Sequence, residues 1–260
     1  MVIKFSIFNA LLFFVVFSLS INANAQVKKT TTTKTTNSKT KATKKPLPAK
    51  SIAKVKTQKA NNDPLEGVHR VKLITDSGII IIRLYDSTPL HRDNFVKLVK
   101  QGFYDSLLFH RVIPEFMIQG GDPQSKNAES GAMLGNGGGD MTRIPAEFKP
   151  SLYHKKGVLA AARDGNPEKA SSACQFYIVD GKPFTDEQLN QLEQGRGMKY
   201  TEEQRTVYKT IGGTPHLDMG YTVFGEVESG MEVIGKISHA AKDGNNRPLT
   251  DIRMHIELIK

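Results

Sequence analysis

Residues 63–260 are predicted to form a mainly β domain, and three features of the sequence point that way. Two runs rich in β-branched residues, 71–75 and 79–85, are separated by Asp76-Ser77-Gly78, which is a hairpin pattern. At the far end, Ile252, Met254, Ile256 and Leu258 alternate with Arg253, His255 and Glu257, the period of a strand with one buried face. Between these ends, short apolar runs bounded by glycine, proline and polar clusters outnumber helical patterns.

Taken in order, the hairpin begins a sheet and a helix follows it. Thr88-Pro89 supplies an N-cap with proline at the first helical position, Phe95, Leu98 and Val99 share one face, and Gly102 ends the turn. Further strands are expected at 107–113, 116–119, 157–162, 175–179 and 222–227. Met231, Ile234 and Ile237 after Gly230 predict a second short helix. Gly131, Gly135, Gly137, Gly138 and Gly139 lack the spacing and following helix of a phosphate loop, so 131–140 is expected to be a mobile rim. Within 182–215 lie two capping boxes, Thr185-Asp186-Glu187-Gln188 and Thr201-Glu202-Glu203-Gln204. Leu189 and Leu192 follow the first, Val207 and Ile211 the second, and Gly195 and Gly212 are assigned to the helix ends. This segment is expected to be an inserted helical hairpin, either packed on the sheet or acting as a lid.

The first sixty-two residues differ in kind. Residues 1–25 carry one charge, Lys4, an apolar run from Phe5 to Ile21 and a terminal Ala23-Asn24-Ala25, which predicts a secretory signal cleaved before Gln26. The alternative is an uncleaved anchor, because a span of about 17 residues reaches the lower limit for crossing a bilayer. Lys28, Lys29 and Lys34 lie just past the cleavage point and would favour the cytoplasmic side. Residues 26–62 hold eleven lysines and many threonines but no acidic or aromatic residue, so they cannot bury enough apolar surface to offset chain entropy. A disordered tether is expected there.

Removing these eleven lysines and Lys4 from the formal charge of +10 leaves −2 for residues 63–260. The basic balance therefore belongs to the arm, and nucleic-acid binding by the folded part is not expected. The arm itself could rest on a membrane or other anionic surface, each lysine contributing about 1 kcal/mol before screening, or serve as a solubilising spacer. Cys174 is the single cysteine, so no intramolecular disulfide can form, and it is expected to be a small buried apolar residue. No cysteine–histidine pair has metal-ligand spacing and there is no Gly-x-Ser-x-Gly elbow, so neither a metal nor a cofactor is expected.

The most informative stretch is Phe109-His110-Arg111-Val112-Ile113-Pro114-Glu115-Phe116-Met117-Ile118-Gln119-Gly120-Gly121-Asp122, which sets a guanidinium and an amide among large apolar side chains. Arg111, Phe116, Met117 and Gln119 in this spacing, followed by Gly-Gly-Asp, closely resemble the signature of the cyclophilin family of peptidyl-prolyl cis/trans isomerases. The resemblance runs from about His69 to Lys260. It continues through Ile144-Pro145-Ala146-Glu147-Phe148, Gln175-Phe176-Tyr177-Ile178, Leu217-Asp218 and Val223-Phe224-Gly225-Glu226-Val227. It implies a closed antiparallel eight-stranded β-barrel capped by two helices, here with an inserted helical hairpin.

The resemblance also implies a chemistry. An X-Pro bond rotates slowly because amide resonance imposes a barrier of about 18–20 kcal/mol. Its isomerisation needs no nucleophile, only a site that favours the twisted amide, whose pyramidal nitrogen accepts a hydrogen bond. A permanently charged donor suits that task, and Arg111 is the candidate. Phe116, Met117, Tyr177 and Leu217 match the family positions that cup the proline ring, and Gln119 matches one that holds Arg111 or a substrate carbonyl. Arg163 falls where the family clamps substrate through its main chain, while Gln175 and Tyr221 match further groove positions. His110 and Asp122 are read as structural.

His216 stands where many family members carry a tryptophan associated with cyclosporin binding, so weak affinity for that drug is expected. Two functions from different classes compete. The first is an exported isomerase, periplasmic or membrane-tethered, acting as a monomer on proline-containing polypeptides of the envelope. The second is a binding module or chaperone for proline segments, with incidental turnover. A third reading places the function mainly in the lysine-rich arm.

Overall fold

The computed structural model describes residues 69–260; the expected signal peptide (1–25) and tether (26–62) lie outside the described residues. The elements are β1 (Arg70–Thr75), β2 (Gly78–Leu84), α1 (Pro89–Lys100), β3 (Leu107–Ile113), β4 (Met117–Gly120), β5 (Val158–Ala161), β6 (Phe176–Val179), α2 (Asp186–Arg196), α3 (Glu202–Thr210), β7 (Val223–Ser229), α4 (Met231–Ser238) and β8 (Arg253–Ile259). Short 3-10 turns at Pro123–Ser125 and Pro215–Leu217 complete the list.

The strands close into an antiparallel barrel in the order β1-β2-β7-β5-β6-β4-β3-β8. The first and last strands are neighbours, with Arg70 opposite Ile259 and Thr75 opposite Met254. Closure removes the free strand edges that an open sheet would expose. Val71, Leu73, Ile80, Ile82, Ile118, Leu159, Ile178 and Ile256 point inward and are almost fully buried. α1 adds Phe95, Leu98 and Val99 to this core, its Phe95 ring meeting those of Phe176 and Phe224 edge-on, and α4 adds Val233, Ile234 and Ile237. Gly78 lets α4 approach, since a Cβ there would lie 2.7 Å from Val233 Cγ2.

One set of strands is buried on both faces. In β5 and β6 every residue is buried, because Val158, Ala160, Tyr177, Val179 and Met117 form a second apolar cluster on the outer wall with Leu217 and Tyr221. The period of two therefore serves two cores: Ile118 and Ile178 face in, while Met117, Gln119 and Tyr177 face out. The outer wall is the face on which a groove can form.

Four local expectations are corrected. Thr88 makes no side-chain cap; instead the Glu147 carboxylate accepts hydrogen bonds from Leu90 N and His91 N, capping α1 from a distant segment. A carboxylate there also meets the positive end of the helix dipole. Gly197, with φ +61°, ends α2, and Gly195 lies inside the helix. The glycine-rich loop is not a free rim: Gln175 Nε2 donates to Gly135 O and Gly137 O, both at 2.9 Å, and Asp122 accepts from Gly135 N at about the same place. The strand expected from 116 begins at Met117, after Glu115 at φ +60° turns the chain.

The expected helical hairpin is present as α2 and α3, each with a complete capping box. Its own small core is Leu189, Tyr200 and Tyr208, with Tyr153 and Phe184 of the flanking chain. Gly213, near the end of the insert, pairs with Lys155 ahead of β5 and with Lys182 at the start of the insert. Only glycine fits at 213, where a Cβ would lie 2.2 Å from His154 O.

Candidate active site

Pairing of β3 with β4 sets Arg111 directly opposite Gln119, and pairing of β4 with β6 sets Gln119 opposite Tyr177. Three residues from three strands thus form one transverse row on the outer wall. Directly opposed side chains in a sheet lie within reach of one another, and here they bond. Arg111 Nη1 donates to Gln119 Oε1 at 3.3 Å, and Gln119 Nε2 donates to Gln175 Oε1 at 3.2 Å. Since Gln175 is itself tied to the glycine-rich loop, a line of two amides links the arginine to that loop.

Arg111 Cζ also lies 5.7 Å from the centroid of the Phe116 ring, so the guanidinium is held over an aromatic face as well as by an amide. A hollow of about 110 Å³ opens here, lined by Arg111, Phe116, Met117, Gln119, Ala162, Arg163, Tyr177, Leu217 and Tyr221. Eight of the nine site residues expected from the sequence meet in it. The ninth, Gln175, lines a larger neighbouring hollow of about 330 Å³ with the glycine-rich loop, Met141, Arg143 and Ser172. Gln119, Ala162 and Arg163 border both.

The Arg163 side chain has more to do than its main-chain assignment implied. Its Nε donates to Gly220 O at 2.8 Å, and its guanidinium lies 4.7 Å over the Tyr221 ring. It therefore fastens the turn that carries Leu217 and Tyr221 to the other side of the hollow. His216 stacks on Phe116, centroids 5.5 Å apart and planes 27° from parallel. Burial lowers its pKa below the usual histidine value, the neighbouring His154 and Arg196 adding to the effect.

Beneath the hollow is a buried polar chain that sequence reasoning missed. The Asp218 carboxylate accepts from His154 N at 2.7 Å, from the His154 ring at Nδ1 at 2.8 Å and from Tyr208 OH at 2.5 Å. A carboxylate only accepts, so Nδ1 bears the ring proton and Nε2 is free to accept from Tyr177 OH, 2.9 Å away. Burial pushes the Tyr177 phenol well above its usual pKa, keeping it a donor. Ala162 was missed too: a methyl group offers no sequence signal, although its small size leaves room between the two hollows. In the sequence Asp218 stands out only as the neighbour of Leu217, and nothing there ties His154 to either.

Comparison with known proteins gives a consistent result. The family described as cyclophilin type peptidyl-prolyl cis-trans isomerase/CLD matches residues 70–257. This chain belongs to that family. A Staphylococcus aureus protein named as a peptidyl-prolyl cis-trans isomerase is 32% identical over 193 residues, covering 74% of this chain and 92% of the relative. A Streptococcus pyogenes protein named as a bifunctional phosphatase/peptidyl-prolyl cis-trans isomerase is 34% identical over 188 residues, of which the match spans only 37% of its length. Among solved structures, a Cryptosporidium parvum cyclophilin type isomerase superposes with a TM-score of 0.55 at 24% identity, covering 74% of this chain and 98% of that one. A second structure of that protein, determined in the presence of the dipeptide Ala-Pro, gives 0.53 at 23% identity, covering 74% and 99%. The cyclophilin fold is thus shared, with the barrel closed in the way the resemblance implied.

Proposed function

We propose that this cyclophilin-type isomerase is exported, and that it accelerates X-Pro rotation in polypeptides folding in the cell envelope. Peptidyl-prolyl cis/trans isomerisation is the family activity; the location and the clients are the added reading. Its support is the apolar segment of residues 5–21 with the small-x-small Ala23-Asn24-Ala25, followed by a lysine-rich arm. Proline-containing polypeptide is the substrate, in keeping with the Ala-Pro present with the solved relative, and the domain acts as a monomer.

The observation that carries the chemical roles is the guanidinium of Arg111 held at the edge of an apolar hollow. The proline ring seats against Phe116, Met117, Tyr177 and Leu217, which line that hollow. As the amide twists, its nitrogen regains a lone pair and Arg111 donates to it, while Gln119 prevents the guanidinium from swinging away. The bond forms fully only in the twisted state, so it lowers the barrier rather than merely tightening binding. Arg163 and Gln175 line the continuation of the groove, where the residues preceding proline lie. A hydrogen bond to a charged donor is worth about 1.5–3 kcal/mol, or roughly ten- to hundredfold in rate, and holding the flanking backbone supplies the remainder.

A proline-limited refolding assay tests the chemistry. Arg111→Ala should lower kcat/KM by about a hundredfold; rates equal to wild type would refute the assignment. The location is tested by cell fractionation with N-terminal sequencing of the native protein. Recovery in the envelope fraction, beginning at Gln26, is expected, and recovery in the cytosol with Met1 retained would overturn it.

A further inference from the structure

The inserted hairpin makes an unusual set of contacts with one short segment. Arg196, the last residue of α2, donates through Nη1 to Pro215 O at 3.3 Å and to His216 O, and through Nη2 to Asp218 O. Tyr200, between the two helices, donates from its hydroxyl to Pro215 O at 3.0 Å. Tyr208 of α3 donates to the side chain of Asp218 at 2.5 Å. Three side chains of the insert, from both helices and their connection, thus converge on residues 215–218. That segment is the 3-10 turn carrying His216, stacked on Phe116, and Leu217, a wall of the proline hollow.

A turn of this kind ends with carbonyl groups that no following helix can satisfy. A guanidinium presents several donors in one rigid plane and matches such a cluster of oxygens, whereas an ammonium acts as a single point. Arg196 is itself exposed, whereas of its partners Pro215 and Asp218 are buried. Nothing in the barrel strands supplies donors to the carbonyls of His216 and Asp218 in its place.

We propose that Arg196 is a positioning residue for substrate: the inserted hairpin is a brace that fixes the height of Leu217 and His216 against Phe116, with Arg196 as its working end. This rests on the isomerase reading of the hollow and adds to it a determinant of substrate affinity lying outside the groove. Because Arg196 touches no reacting atom, its loss loosens the wall and raises KM while leaving the Arg111-centred step largely intact.

The test compares wild type with Arg196→Ala, Arg196→Lys, Tyr200→Phe and, as a control on the same hairpin, Lys209→Ala, whose partner is Asp186. Each is assayed for isomerisation of an Ala-Ala-Pro-Phe peptide, for melting temperature, and for amide NMR signals of residues 216–221. Expected is a rise in KM of about tenfold for Arg196→Ala with kcat within about twofold, partial recovery in Arg196→Lys, a smaller rise for Tyr200→Phe and no change for Lys209→Ala. The signals of 216–221 should shift or broaden only in the first three. Unchanged KM with unmoved turn signals in Arg196→Ala overturns the proposal, as does an equal loss in Lys209→Ala or a loss that simply follows melting temperature. If wild type itself fails to turn over the peptide, the isomerase reading fails separately. The brace is then judged by peptide Kd from NMR titration, where a value for Arg196→Ala equal to wild type refutes it.

Discussion

At the scale of single residues, the same signature segment supplies both the proposed donor and a buried liability. Arg111 and His110 are adjacent on β3 and so point to opposite faces of the sheet. Arg111 meets the groove; His110 is buried with neither ring nitrogen hydrogen-bonded. Burial lowers the His110 pKa to about 4, against a smaller opposing pull from Asp122. A histidine with a depressed folded pKa stabilises the fold fully above its unfolded value near 6.5, and that contribution is lost as pH falls toward 4, where the unfolded chain takes up the proton more readily. The loss from this one residue should reach about 3 kcal/mol. His110→Leu should therefore narrow the stability difference between pH 7 and pH 4.5 by a large part of that amount in urea titrations. An unchanged difference would show that the ring finds a proton acceptor in solution. The sequence marked His110 as structural, and could not show that its surroundings leave it unpaired, because that depends on how the glycine-rich loop folds over it.

At the scale of elements, the legible features were those written in local chemistry. Both capping boxes of the insert formed as read, since the Ser/Thr-to-Glu/Gln pattern needs only one turn of helix to close. The cap of α1 was illegible for the opposite reason: its acceptor, Glu147, is some 57 residues away. Gly195 was mistaken for a helix end because glycine is permissive of the left-handed turn without specifying it; Gly197 adopts that turn. The hairpin should behave as a locally stable unit. Thr201→Ala removes the acceptor for Gln204 N and should cost α3 about 1 kcal/mol. Hydrogen exchange should reveal this as faster exchange within 202–211, with barrel strands unaffected, whereas uniform acceleration throughout the domain would mean that insert and barrel open together.

At the scale of the whole molecule, two properties stand apart. Barrel closure joins β1 to β8 across almost the entire domain, and such long-range pairing makes for slow folding, in the range of milliseconds to seconds. The charge asymmetry is the other: +10 for the whole chain but −2 for residues 63–260. Deletion of 26–62 should leave the isomerisation rate unchanged and abolish binding to anionic lipid vesicles. Binding by the full chain should weaken steeply as salt rises, because exposed charges are screened over about 8–10 Å at physiological ionic strength. Retention of vesicle binding by the shortened chain would assign the surface to the barrel instead. Among the described residues no helix is long and apolar enough to cross a membrane.

Read alone, the chain established the strand-rich character, both helix pairs, the composition break near residue 62 and, through the order of Arg111, Phe116, Met117 and Gln119, the family. Those follow from short-range periodicity, turn chemistry and an ordered motif, all of which exist in one dimension. Folding alone decided that Arg111 faces Gln119 across a strand pair, that Tyr177 rests on His154 and Asp218, and that a guanidinium from the insert grips the turn beneath Leu217. The last two join groups 22 or more residues apart in sequence. Residue type fixes what a side chain can donate or accept, and only strand register and packing fix whom it meets.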